Sequence, residues 1–134
     1  AAWVAIDPAD QENGGMVVVP KSQNEPIYCP HEADPAVSFT RHEVDVPEGM
    51  SAVPVDLEPG DVLFFNGSVI HGSYPNTSKT RFRRSFICHY AGKSVCKISN
   101  FYNPLYRADG SVVTVEANPW GGPCGEEVPI PGPH

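Results

Sequence analysis

The apolar runs of this chain are short, and nearly every one ends at a proline or a glycine. Proline lacks a backbone donor and breaks a helix interior, while glycine supplies the positive φ that tight turns need. With 15 prolines and 12 glycines in 134 residues, these two types make up about a fifth of the chain, against roughly 12% in an average protein. No segment shows the 3.6-residue apolar period of an amphipathic helix. Coiled coils, helix bundles and helical repeats are excluded on that ground. Hydrophobic residues still make 40% of the chain, enough to build a core rather than a disordered tail.

Short strands separated by Pro/Gly turns argue for an antiparallel sandwich or barrel, so the fold class is all-β. Strand candidates are Ala2–Ile6, Met16–Pro20, Val37–Val46, Val53–Leu57, Asp61–Asn66, Arg81–Ala91 and Ser111–Ala117. Lys21–Ala36 reads as a loop holding one short helical turn. In Glu58-Pro59-Gly60-Asp61, proline pre-sets φ and glycine accepts φ > 0, a turn with a mechanism. The stretch from 118 to 134 is a Pro/Gly-rich arm. The chain opens inside an apolar strand, which gives the expectation of a piece of a longer protein, residues 1–117 forming its domain.

The balance of 16 acidic to 9 basic residues gives a net charge of −7. Such a surface repels phosphate backbones, so no nucleic-acid partner is expected. No apolar run approaches the roughly 18 residues of a membrane span, so no membrane partner is expected either. Cys29, Cys88, Cys96 and Cys124 form no C-x-x-C pair, against a zinc ribbon or thioredoxin-type site. Reduced thiols in a cytoplasmic protein are the expectation.

Chemistry concentrates in Pro59-Gly60-Asp61-Val62-Leu63-Phe64-Phe65-Asn66-Gly67-Ser68-Val69-Ile70-His71-Gly72-Ser73, continuing through Tyr74-Pro75-Asn76-Thr77-Ser78 to Arg81-Phe82-Arg83-Arg84-Ser85. An apolar strand delivers one histidine to a bend, and the returning strand begins with closely spaced arginines. Non-heme iron oxygenases hold Fe(II) with two histidines and a carboxylate. Those that use 2-oxoglutarate also need a cation for the far carboxylate, a role that suits the planar fork of arginine. Strand periodicity puts Arg81, Arg83, Ser85, Ile87 and His89 on one face. Arg84, Phe86, Cys88 and Tyr90 occupy the other, expected to pack against a second layer. Arg83 is the choice for the carboxylate, with Arg81 the alternate.

Trp3-Val4-Ala5-Ile6-Asp7, Glu12-Asn13-Gly14, Met16-Val17-Val18-Val19-Pro20 and the block from Pro59 to Ala91 together resemble the phytanoyl-CoA dioxygenase-like branch of Fe(II)/2-oxoglutarate oxygenases. The resemblance spans residues 2–91 and implies a double-stranded β-helix, the jelly roll or cupin-like fold, incomplete at its N-terminus. It further implies His71 as the distal iron ligand, Arg83 as the partner of the 2-oxoglutarate carboxylate, and Ser73 and Trp3 as co-substrate contacts.

The family's His-x-Asp pair stands upstream of the position of Trp3. None of the five histidines has a carboxylate two positions on, and His31-Glu32-Ala33-Asp34 and His42-Glu43-Val44-Asp45 put theirs on opposite strand faces. Pro20-Lys21-Ser22-Gln23 stands where the family shows Pro-Gly-Ser-His. The expectation is therefore a dioxygenase fragment, inactive alone, whose full-length form hydroxylates a small organic substrate with Fe(II) and 2-oxoglutarate. The alternatives are a halogenase, in which that carboxylate is absent, a cupin-like metal protein, and a non-catalytic jelly-roll binding module without its metal site. Oligomeric state is not legible.

Overall fold

The computed structural model describes residues 1–118 except Val37, Phe39 and Arg41. It divides into two compact units, Ala1–Tyr90 and Ala91–His134. The arm expected over 118–134, with Cys124 and the Trp120–Gly125 segment, lies almost wholly outside the described residues. So do three positions of the strand expected at Val37–Val46.

The first unit carries β1 (Ala2–Ala5), β2 (Met16–Val18), β3 (His31–Glu32), β4 (His42–Glu43), β5 (Val53–Val55), β6 (Val62–Phe64), β7 (His71–Ser73) and β8 (Ser85–Cys88). A 3-10 turn over Ser22–Asn24 follows β2, in the loop where one helical turn is expected. Two three-stranded sheets form, in the orders β6-β1-β8 and β5-β2-β7, and every pairing in them is antiparallel. From β5 onward successive strands alternate between the two sheets. This is the all-β, jelly-roll architecture expected from the sequence. Among the described residues no helix is long and apolar enough to cross a membrane.

Register decides which side chains meet. Trp3 stands opposite Leu63 and Ile87; Met16 stands opposite Val55 and Ser73. Trp3, Ala5, Ala9 and Met16 form the buried cluster, with Val55, Leu57, Leu63 and Phe65 packed against it. Both sheets thus contribute to one core. Burying the Trp3 side chain removes about 200 Å² of largely apolar surface from water, a contribution of about 5 kcal/mol.

The turn at Glu58–Asp61 closes as its sequence predicts. Asp61 donates its N–H to the Glu58 carbonyl at 3.0 Å, and Gly60 has a φ of 96°. The opposite face of β6-β1-β8 departs from expectation. Phe64, Phe86 and Tyr90 are 74, 61 and 75% exposed, so no second layer covers it among the described residues. Cys88 on that face is a free thiol, and its hydrogen bond raises the Tyr90 hydroxyl above its ordinary pKa. Cys29 is disulfide-bonded, which corrects the expectation that every cysteine is reduced.

In the second unit the stretch expected as one strand over Ser111–Ala117 is two, β11 (Val112–Val113) and β12 (Glu116–Ala117). β11 pairs antiparallel with β10 (Leu105–Tyr106), and β12 pairs parallel with β9 (Lys97–Ile98). Asn103 breaks the run by accepting the Val115 N–H and donating to the Val115 carbonyl. A second 3-10 turn, Asn100–Tyr102, precedes it.

Candidate functional site

His71 opens β7 and shares its strand face with Ser73, opposite Val18 and Met16 of β2. That face carries Met16 into the core, so the strand period aims His71 and Ser73 inward as well. Ser73 is half-buried while His71 stays exposed. The His71 Nδ1 lies 2.8 Å from the Val69 carbonyl. A carbonyl oxygen can only accept, so Nδ1 carries a proton, and the neutral tautomer that fits this bond is the one whose Nε2 holds the lone pair. This is how ligating imidazoles are commonly oriented, by a carbonyl on the second nitrogen. The Phe65 ring packs on the imidazole with centroids 4.5 Å apart and planes tilted by 52°.

The arginines before β8 separate by partner. Arg84 forms a fork on Asp7, with Nε donating to Oδ2 at 2.8 Å and Nη2 to Oδ1 at 2.7 Å. That pairing holds the Asp7 carboxyl down at about 2. Arg81 donates to Asp10 at 2.6 Å and to Glu12 at 3.0 Å. These bonds lower the Asp10 carboxyl and raise the guanidinium. Arg83, partly buried, has no carboxylate within ion-pair distance among the described residues. Its Cζ sits 5.4 Å from the centroid of the Trp3 ring, within cation–π range. Burial pushes its pKa down, because a desolvated cation without a counter-charge is held less tightly in its charged form.

The loop between β1 and β2 is the brace of this arrangement, and reading the sequence assigned it no role. Asp10 Oδ1 accepts the N–H groups of Glu12 and Asn13, while Asn13 Oδ1 accepts the Asp10 N–H at 2.8 Å. Asn13 is fully buried, and its Nδ2 donates to the carbonyls of Pro8 at 2.7 Å and Phe82 at 3.0 Å. The Phe82 carbonyl belongs to the peptide that joins Phe82 to Arg83, so Asn13 sets the plane from which Arg83 departs. Thr77 and Tyr74 donate their N–H groups to Glu12 and Gly15, tying the 74–82 loop to the same brace. The Asp-x-x-Asn-Gly-Gly run at 10–15 is the signal that marks such a loop, since Asp and Asn side chains mimic backbone turns.

The sequence read His71 and Arg83 as hairpin neighbours. The structure puts β7 and β8 in different sheets, joined to one core through Phe65 and Trp3, which belong to its buried cluster and rim. Among the other described histidines, His31 is exposed and pairs with Asp45 at 3.4 Å in the β3–β4 ribbon, opposite Glu43, while His42 stands opposite Glu32. Among the described residues no three His, Cys, Asp or Glu side chains gather to hold a metal ion.

The first unit thus carries His71 on one of its two sheets and Arg83 beside the edge strand of the other. Comparison with known proteins gives the family. The model of the family described as Phytanoyl-CoA dioxygenase (PhyH) matches residues 1–85, and this chain belongs to that family. A protein of Caenorhabditis elegans named as a probable phytanoyl-CoA dioxygenase is 34% identical over 103 residues, covering 74% of this chain and 32% of its own length. The peroxisomal phytanoyl-CoA dioxygenase of Bos taurus is 34% identical over 67% of this chain and 27% of its own. The dioxygenase lolE1 of Epichloe uncinata is 37% identical over 58% of this chain and 28% of its own. The chain thus spans about a third of the length of these relatives. No solved structure matches.

Proposed function

We propose that this chain is the part of an Fe(II)/2-oxoglutarate-dependent dioxygenase that holds the distal imidazole ligand and the co-substrate's far carboxylate. The observation that carries the reading is the partnering of the arginines. Arg81 and Arg84 are neutralised by carboxylates of the chain itself, whereas Arg83 has none among the described residues and is partly desolvated against Trp3. A buried cation without an internal counter-ion is a site for an external anion, and the guanidinium fork suits a carboxylate.

The donor chemistry fits iron at one position. His71 offers Nε2 with its tautomer set by Val69, and Ser73 and Trp3 would help to hold the co-substrate. A facial triad needs two further donors; we assign them to residues beyond these 134, and expect the chain alone to show no turnover. Bound Fe(II) with 2-oxoglutarate supplies the oxygen activation that hydroxylates a C–H bond of a small organic substrate. The residues here bind and orient: Arg83 holds the carboxylate, and Trp3 keeps water from one face of the guanidinium. The net charge of −7 supports a small-molecule partner over nucleic acid. A cytoplasmic location is favoured by the free thiols of Cys88 and Cys96 and opposed by the disulfide at Cys29.

The test is made in the full-length reading frame that contains this chain. His71→Ala should abolish Fe(II)-dependent turnover of 2-oxoglutarate, and Arg83→Ala should mainly raise the 2-oxoglutarate concentration required. Retained turnover without His71 refutes its assignment; a raised requirement in Arg81→Ala instead moves the carboxylate site by two residues. The competing reading, a binding module without a metal site, draws on the lone imidazole. It is decided by whether a His-x-Asp pair precedes Ala1 in that frame.

A further inference from the structure

The imidazole of His71 is held by a carbonyl, and that carbonyl is held in turn. Ser22 begins the 3-10 turn after β2 and is 2% exposed. Its Oγ reaches 48 residues along the chain, accepting the Ile70 N–H at 2.8 Å. The N–H of Ile70 and the C=O of Val69 are two ends of one peptide group. At the far end, the Val69 oxygen accepts the His71 Nδ1–H at 2.8 Å. Hydroxyl, peptide and imidazole form a continuous line of hydrogen bonds.

An amide whose N–H is bound by an acceptor is the better acceptor at its oxygen, since hydrogen bonds in series polarise one another by about 10–30% each. The line is also braced against rotation. Val19 donates its N–H to the Ile70 carbonyl at 2.9 Å, and Ser22 donates its own to the Val19 carbonyl at 3.2 Å. Ser22 thus holds the 69–70 peptide and Val19 the 70–71 peptide that follows, both from the segment after β2, and with them the direction from which His71 is held.

We propose that Ser22 is a positioning residue for His71: acting through the 69–70 peptide, its hydroxyl holds the imidazole in the Nδ1–H tautomer and so keeps the Nε2 lone pair available to a metal ion. The inference rests on the reading of His71 as a ligand. Its chemistry is a neutral donor–acceptor chain, and it requires no titration and no bound metal to be observed.

The experiment measures the tautomer directly in the 134-residue chain. Long-range proton–nitrogen correlation of the labelled imidazoles, at a pH well above the ordinary histidine range, gives the ratio of Nδ1–H to Nε2–H. The His71 signal is the one missing from His71→Gln. The Nδ1–H form should dominate in the parent. Ser22→Ala should lower the ratio about twofold or more and speed amide exchange at Ile70. Ser22→Thr, which keeps the oxygen, should restore both. Should the alanine variant fail to fold, Ser22→Cys, of similar size with a weak acceptor, reads the same ratio. An unchanged ratio in a folded Ser22→Ala or Ser22→Cys chain overturns the proposal. The outcome is separable from the reading of His71. A shifted ratio with turnover surviving His71→Ala in the full-length frame removes the ligand while leaving the relay. Turnover lost in His71→Ala with the ratio unmoved in Ser22→Ala removes the relay while leaving the ligand.

Discussion

Replacing Asn13 by alanine should cost more than any exposed substitution in this chain, and the magnitude follows from its bonds. The side chain is fully buried and makes three hydrogen bonds, one accepted from the Asp10 N–H and two donated to the Pro8 and Phe82 carbonyls. Each is worth about 1 kcal/mol net, and a buried partner left unsatisfied costs about 1–3 kcal/mol. Water entering the vacated space recovers part of the larger figure. A loss of about 3 kcal/mol is expected, a large fraction of the roughly 5–15 kcal/mol that holds a domain folded. Urea denaturation measures it. At a slope of about 1.5 kcal/mol per molar, the midpoint falls by about 2 M. Asn13→Asp keeps the acceptor but turns a carboxylate toward two carbonyl oxygens, so it should be no better than alanine. A loss below about 1 kcal/mol for Asn13→Ala would mean that water replaces the amide fully. The brace beneath Arg83 would then not depend on Asn13.

Three further outcomes follow from local geometry. Lys21 has a φ of 71°, a left-handed conformation that costs a side-chain-bearing residue about 1–2 kcal/mol. Lys21→Gly relieves it at an entropic cost of about 0.4–1 kcal/mol, so thermal unfolding should shift upward by a net gain of about 0.5–1 kcal/mol. A Cβ on Gly15 would sit 2.6 Å from the Asp10 carbonyl oxygen, so Gly15→Ala must move backbone and should lower stability by more than about 1 kcal/mol. The Asp7 and Asp10 carboxyls are depressed by their arginines, Asp7 to about 2. A depressed carboxyl contributes stability above its ordinary value and loses it as pH falls through the folded one. The advantage of the parent over Arg84→Met should therefore be constant near neutrality and vanish between about pH 4 and pH 2; an advantage that persists at pH 2 would show that Arg84 acts through packing rather than charge.

The local record of the chain determined a good deal. Proline and glycine spacing specified short strands and no long helix, because both effects are confined to a residue and its neighbours. The Glu58–Asp61 turn closed as read. Other features depend on which strands pair, and that is a property of the whole sheet. His71 and Arg83 are twelve residues apart and read as hairpin neighbours, yet β7 pairs with β2 and β8 with β1. The Asp-x-x-Asn-Gly-Gly run marks the turn around Asn13 but not its bond to the Phe82 carbonyl, and nothing local marks the Ser22 bond to Ile70, since those partners lie 69 and 48 residues away. Sequence periodicity proposed a face for each arginine on a strand over Arg81–Ala91, but the strand is shorter, Ser85–Cys88, and all three arginines precede it. Only tertiary structure brought Asp7, Asp10 and Glu12 against Arg84 and Arg81 and left Arg83 without a carboxylate among the described residues, because charges are neutralised through space and not along the chain.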